Sequence, residues 1–222
     1  MTDVVALVPM RHESERVPGK NYRAFAGRPL FHHVVECLLR VPQVREVVID
    51  TDSPIVTADV AHHFPQVRVV ERPEHLRAGD VSMNDVLAHD AGLVEADWYV
   101  QTHSTNPLLR PETVGAAMEA LESSPDHDSL FSVTPLRTRL WWPDGRPVNH
   151  DPSVLVRTQD LDPVYVENSN LYIFDRTTIL TTGSRLGRRP LLFPMAAEEA
   201  WDIDDELDFV FGEQLFRARA TS

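Results

Sequence analysis

The stretch Val4-Val5-Ala6-Leu7-Val8-Pro9-Met10-Arg11-His12-Glu13-Ser14-Glu15-Arg16-Val17-Pro18-Gly19-Lys20-Asn21 decides the fold. Its first five residues are apolar without interruption, as in a parallel strand buried on both faces. A polar loop follows. The chain then enters Pro29-Leu30-Phe31-His32-His33-Val34-Val35-Glu36-Cys37-Leu38-Leu39, a helical pattern with proline near its first turn. Strand, loop and helix make the first half of a βαβ unit.

The rhythm repeats down the chain. Residues 47–49 predict a second strand ending in Asp50-Thr51-Asp52, and Ser53-Pro54 opens a helix that runs to about His63. Residues 67–70 predict a third strand, 82–93 a third helix, 98–100 a fourth strand and 111–121 a fourth helix. The order βαβαβαβα predicts an α/β fold, a mainly parallel sheet with helices on both faces. Ligands of such sheets bind at the carboxyl ends of the strands. The segments to inspect are therefore residues 11–21, 50–52, 72–82 and 101–106.

After about residue 125 the rhythm changes. Residues 130–133 and 164–174 read as strands, 176–181 as a short helix, and 204–219 as a closing helix that frays after Phe216. Residues 135–163 are rich in Pro, Arg and Trp and lack a helical period. They are expected to form a small β-rich element serving as a lid or a dimerisation contact. The expected organisation is a single domain over residues 1–222, with 135–165 as an inserted lobe or dimer contact.

Charge and composition narrow the function. The formal net charge is −13, which argues against a nucleic-acid partner, because nucleic acid needs a basic face. No apolar run approaches the ~18 residues that cross a bilayer, and Met1-Thr2-Asp3 has no signal-peptide character. The expected setting is cytoplasmic, with no membrane partner. The single Cys37 sits in an apolar helical pattern and reads as a buried structural thiol. The chain holds one lysine, Lys20, against 20 arginines. That usage suggests that position 20 needs a compact ammonium on a flexible stem instead of a planar guanidinium.

Two segments carry chemistry. Residues 11–21 combine arginines, a Gly-Lys pair and exposed amides where phosphate can bind, although neither a Walker A loop nor G-x-G-x-x-G is present. Near the other end stands Trp201-Asp202-Ile203-Asp204-Asp205-Glu206-Leu207-Asp208. In extended chain Asp202 and Asp204 share a face while Ile203 points into the core. Two adjacent carboxylates need a cation between them, and Mg²⁺ prefers such hard oxygens together with substrate phosphates. Asp205, Glu206 and Asp208 fit the first turn of the closing helix.

Val8-Pro9-Met10-Arg11, Val17-Pro18-Gly19-Lys20-Asn21, Ile49-Asp50-Thr51-Asp52, Glu71-Arg72-Pro73, Glu167-Asn168 before Tyr172-Ile173, and Asp202-Ile203-Asp204 occur in that order. Over about residues 4–216 the chain resembles the acylneuraminate cytidylyltransferases, also called CMP-sialic acid synthetases. The resemblance implies a Rossmann-like nucleotidyltransferase fold, a homodimer, and a requirement for CTP and Mg²⁺. It assigns Arg11, Lys20 and Asn21 to the triphosphate and sets Arg72 and Ser82 beside the nucleotide. Asp202 and Asp204 become metal ligands, and Gln101 and Asn168 reach toward a small anionic acceptor. By this analogy Lys20, Arg11, Asp202 and Asp204 are catalytic.

The sequence departs from the family at three places. His12-Glu13-Ser14-Glu15-Arg16 replaces a small Gly-Ser stretch, Gln101-Thr102-His103-Ser104-Thr105-Asn106-Pro107 replaces Gln-Pro-Thr-Ser-Pro, and Asn168-Ser169 replaces Asn-Gly. The expected reaction is transfer of CMP from CTP to an acidic, sialic-acid-like sugar with release of pyrophosphate. Three alternatives stay open: a non-sugar acceptor such as a phosphonate, a catalytically silent nucleotide-binding relative, or another base. His103 is considered as a general base and, alternatively, as a structural histidine. The pairs His32-His33 and His62-His63 read as structural, and Trp141-Trp142 as a dimer contact or acceptor platform.

Overall fold

A computed structural model of the protein describes residues 3–220, so residues 1, 2, 221 and 222 of the expected 1–222 domain lie outside the described residues. The chain runs β1 (Val4–Met10), a short hairpin of β2 (Ala24–Phe25) and β3 (Arg28–Pro29), α1 (Leu30–Leu39), β4 (Val44–Thr51), α2 (Pro54–His63) and β5 (Arg68–Glu71). It continues through α3 (Met83–Leu93), β6 (Trp98–Thr102), α4 (Pro111–Glu122), β7 (Ser129–Leu136), β8 (Val164–Asp175), α5 (Arg176–Thr182), β9 (Pro190–Pro194) and α6 (Glu206–Ala220).

Seven strands form one sheet in the order β5-β4-β1-β6-β8-β7-β9. All neighbours pair parallel except β8, which runs against both β6 and β7. The uninterrupted apolar character of β1 has its cause here, since both faces of the strand are covered. Val4, Ala6, Val8 and Met10 pack with α1, α2 and α4, while Val5 and Leu7 pack with α3 and α5. The strand order reverses direction between β1 and β6, so their carboxyl ends open the crevice where such folds bind ligands.

Local chemistry sets the helix starts. Ser53 Oγ accepts from Val56 N at 3.3 Å ahead of Pro54, and Ser82 Oγ accepts from Asn84 N at 3.1 Å. Asp175 does the same for α5, accepting from Thr178 N at 2.6 Å.

Three features differ from the sequence expectations. β9 and the hairpin were not anticipated; β9 is an edge strand bracketed by Pro190 and Pro194, which hide its pattern. α6 does not fray after Phe216 but continues to Ala220, where Arg219 donates to Leu108 O at 2.6 Å. Within residues 137–163 regular structure is limited to one bridge, Trp141 with Pro147, and a single turn at Thr158–Asp160. The strand content lies instead at the base of that segment, where residues 133–136 of β7 pair with 164–167 of β8. No helix among the described residues is long and apolar enough to cross a membrane.

Candidate active site

The loop after β1 is pinned from beneath. Val17 is fully buried with Phe25, Leu30, Ile203 and Phe209, so the loop and the segment before α6 share one small apolar cluster. Gly19 has φ +65°, and a Cβ there would stand 2.8 Å from the Tyr22 ring. Only glycine fits this bend without strain. The bend starts a single helical turn, Lys20–Tyr22, that lifts Lys20 over the crevice. Asn21 spends its amide on the protein: Nδ2 donates to Arg11 O at 2.7 Å and Oδ1 accepts from Ser104 Oγ at 2.8 Å. It therefore clamps the β1 loop to the β6 loop.

The acidic segment follows the geometry expected of extended chain. Ile203 is fully buried, and Asp202 and Asp204 both line the crevice. Ile203 N donates to Thr105 O at 3.0 Å, which fixes the segment against the β6 loop. Asp205 and Asp208 serve the helix start instead. Asp208 Oδ2 accepts from the amides of Asp204 and Asp205, and Asp205 Oδ1 from those of Leu207 and Asp208.

A cleft of about 400 Å³ gathers Arg11, Lys20, Asn21, Arg72, Asp202 and Asp204. Lys20 Nζ donates to Ile203 O at 2.5 Å. Burial holds the Lys20 ammonium below its usual pKa, opposed by the charges of Asp202 and Asp204. Burial and neighbouring Asp204 push Asp202 up, opposed by a hydrogen bond from Thr105 and by Lys20. A half-buried carboxylate raised in this way beside a second one is a donor set that a divalent cation would relieve, and its hard oxygens suit Mg²⁺. Asp204 also pairs with Arg16 at 2.6 Å across open surface.

Arg72 reaches the cleft from beneath, buried and paired with Asp50. Asp90, fully buried on α3, completes this group; burial and the neighbouring Asp50 raise its carboxyl to about 8.

The other three predicted residues do not line the cleft. Ser82 caps α3 and borders a neighbouring hollow of about 230 Å³. Gln101 is fully buried, with Oε1 accepting from Arg185 Nη1 at 2.7 Å. Asn168 sits in a bulge of β8, where Oδ1 accepts from Ser132 Oγ at 2.5 Å and Nδ2 donates to Thr134 Oγ1 at 3.1 Å. The next residue, Ser169, lines the cleft with a positive φ of 54°.

His103 is on the cleft wall, and burial, Arg185 and Lys20 push its ring down to about 3. A ring held that low is a weak base, which favours the structural reading of His103 over the general-base one. The sequence reading gave no role of their own to Arg16, Ser104, Thr105 and Ser169, which it quoted only within longer segments, and it passed over Met83 and Arg185. Of these, Arg185 carried no motif signal, because it precedes a strand that was itself not anticipated.

Away from the cleft, Cys37 is buried and its thiol is raised to about 12, in keeping with an inert structural cysteine. His33 bonds Phe25 O at 2.9 Å. His32, Asp59 and His63 offer ligand atoms within 4.8 Å of one another, a grouping hidden in the sequence because it spans α1 and α2. None of the three lines the cleft.

Comparison with known proteins bears on what this arrangement does. The cytidylyltransferase family profile matches residues 5–215. The chain is 30% identical over 230 residues to CMP-N,N'-diacetyllegionaminic acid synthase of Legionella pneumophila, covering 96% of this chain and 95% of that protein. It is 28% identical to the N-acylneuraminate cytidylyltransferase of Oncorhynchus mykiss, over 95% of this chain but 50% of the longer fish protein. The solved structure of CMP:2-keto-3-deoxy-manno-octonic acid synthetase with CTP superposes with a TM-score of 0.71 at 18% identity, covering 97% of this chain and 99% of that one. That likeness bears on the fold, and it agrees with the Rossmann-like nucleotidyltransferase architecture.

Proposed function

The chain belongs to the cytidylyltransferase family, and on that premise we propose that it transfers CMP from CTP to an acidic sugar of the nonulosonate or octulosonate kind, releasing pyrophosphate. The observation that carries this reading is the convergence of Arg11 and Lys20 with Asp202 and Asp204 on one cleft at the switch point of the sheet. Triphosphate chemistry needs cations for the phosphate oxygens and rigid positioning.

In this reading Arg11 and Lys20 bind the triphosphate and offset charge that builds on the departing pyrophosphate. Lys20 is held for that task by Ile203 O, and Asn21 supports it by fixing the loop. Arg72 and Ser82 lie toward the nucleoside, and Gln101 and Asn168 shape the acceptor side. Asp202 and Asp204 would hold Mg²⁺, which when bound neutralises phosphate oxygens and aligns the reacting phosphate. The acceptor hydroxyl attacks the α-phosphate opposite the leaving pyrophosphate.

A homodimer belongs to the same reading. Trp141, Trp142, Val154 and Leu155 are exposed in the segment between β7 and β8, the kind of apolar surface a partner covers. Sedimentation of the wild type against a Trp141→Ser/Trp142→Ser variant tests it: a dimer that becomes a monomer is expected, and a monomeric wild type sinks it.

The nucleotide part is tested by thermal protection with each of the four NTPs, with and without Mg²⁺. A ligand at 100 times its dissociation constant adds about 2.7 kcal/mol of stability. A Mg²⁺-enhanced shift selective for CTP is expected. No shift with any nucleotide refutes the reading of the cleft.

A further inference from the structure

Arg185 is a cation without an anion. Its guanidinium lies over the Tyr172 ring, 3.5 Å from the centroid, and its Nη1 donates to Gln101 Oε1 at 2.7 Å. Among the described residues no carboxylate lies within 4.0 Å of it. The acid whose charge reaches it is Glu167, whose Oε1 already accepts from Tyr172 Oη at 2.5 Å. Taking a guanidinium partly out of water without a carboxylate partner is costly, and such perturbed groups in a hollow cluster at functional sites.

The guanidinium is also held in place. Stacking on Tyr172 fixes its plane, the Gln101 amide fixes one of its five N–H donors, and Arg185 N donates to Asn84 Oδ1 at 3.1 Å, tying its loop to α3. Arg185 itself borders the hollow of about 230 Å³ formed with Ser82, Met83, Asn84, Glu167 and Ser184, and Gln101 leaves its other N–H donors uncommitted to a side-chain carboxylate. Met83 also lines the main cleft, so the hollow adjoins it. His103 bridges the two: it lies on the cleft wall, contacts Gln101 Nε2 at 3.3 Å, and feels the positive charge of both Lys20 and Arg185.

We infer that Arg185, stacked on Tyr172 and anchored by Gln101, is an anion-recognition residue that binds the oxyanion of the acceptor in the hollow beside the phosphate cleft. A carboxylate matches the guanidinium fork in two parallel hydrogen bonds, and a phosphonate presents the same oxygens. Gln101 is then a positioning residue, its carbonyl oxygen spent on Arg185. Glu167 and Ser184 line the same hollow with polar groups for acceptor hydroxyls, which suits a polyhydroxylated acid better than a purely apolar one. This rests on the cytidylyltransferase reading of the cleft.

The test uses the intact protein with CTP, Mg²⁺ and four probes: N-acetylneuraminate, 3-deoxy-manno-octulosonate, N,N'-diacetyllegionaminate and hydroxymethylphosphonate. The variants are Arg185→Gln, Arg185→Lys and Gln101→Glu. Arg185→Gln should raise the acceptor KM roughly 10- to 100-fold, the scale of a lost charge-assisted hydrogen bond, with the CTP KM unchanged. Arg185→Lys should recover only part, since an ammonium neither stacks nor forks. Gln101→Glu should raise the acceptor KM as well, by placing a competing carboxylate against Arg185. The methyl ester of the preferred sugar acid should be discriminated by the wild type and not by Arg185→Gln. Turnover confined to hydroxymethylphosphonate would assign the subsite to a phosphonate, and turnover of a sugar acid to a carboxylate. An acceptor KM unchanged in Arg185→Gln, or no probe turned over while CTP still protects the fold, overturns the subsite. Loss of CTP protection in the wild type instead overturns the reading of the cleft, in an arm that does not involve Arg185.

Discussion

Lys20 Nζ donates to the carbonyl oxygen of Ile203, the residue between Asp202 and Asp204, at 2.5 Å. One contact thus couples the cationic loop after β1 to the acidic segment before α6, 183 residues away in sequence. The ammonium keeps further donors for a ligand, because Lys carries three. Replacing Lys20 with Ala should remove CTP protection and cut turnover by ~10²–10³, about 3–4 kcal/mol of transition-state stabilisation. Lys20→Arg should not restore it, because a planar guanidinium cannot take a compact ammonium's place above Ile203. Steady-state kinetics of the two variants checks both statements.

Gly19 makes that contact possible. A Gly19→Ala chain must carry a side chain at φ +65° and find room for a Cβ 2.8 Å from the Tyr22 ring. The left-handed conformation alone costs about 1–2 kcal/mol. A lowered unfolding midpoint in urea is expected, together with weaker CTP protection from a displaced Lys20.

With Mg²⁺ held by Asp202 and Asp204 as proposed, Asp202 would set the pH dependence of its binding. Burial raises its carboxyl above the ordinary carboxylate range, so in the folded protein it takes up a proton at a higher pH than in the unfolded chain. A group raised in this way costs stability when it ionises, and Mg²⁺ rewards the ionised form. The Mg²⁺-induced rise in melting temperature should therefore be larger at pH 8 than at pH 5. The difference should disappear in Asp202→Asn, which calorimetry at the two pH values reads directly.

Asp90 gives an independent check on the buried group under Arg72. Its carboxyl is raised from the ordinary 3.8 to about 8 in the fold, with desolvation the largest cause and Asp50 the next. At pH 5 the folded state holds a proton that the unfolded chain has released. Stability must then fall as pH rises from 5 toward 8, at up to about 1.4 kcal/mol per pH unit, and level off above. Asp90→Asn cannot titrate, so its stability relative to the wild type should rise over the same interval.

Much of this was legible in the sequence because the signals were local. The alternation of apolar strand and amphipathic helix marked β1, β4, β5 and β6 with their helices, since each strand sends apolar residues into the clusters on both faces of the sheet. Arg11, Lys20, Asn21 and Arg72 follow strand ends, and the i, i+2 spacing of Asp202 and Asp204 was sufficient to predict their shared face. What escaped depended on contacts between distant segments. Arg185 matters because Tyr172 and Gln101 from two other strands meet it, and no periodicity marks that. The His103 ring sits between two cations, so its basicity could not be judged from its place after β6. The edge strand β9 was masked by its flanking prolines, and the Asn168 bulge by a regular β-branched and aromatic run around it.

Pyrophosphate release from CTP in the presence of Mg²⁺ and the acidic acceptors named above, with ATP, GTP and UTP as competitors, decides whether the cleft transfers CMP. A cytidylyltransferase built on this cleft releases pyrophosphate only with the acceptor, selects CTP, and loses that release in both Lys20→Ala and Asp202→Asn. Release that is indifferent to the base, or that survives both substitutions, would contradict that reading.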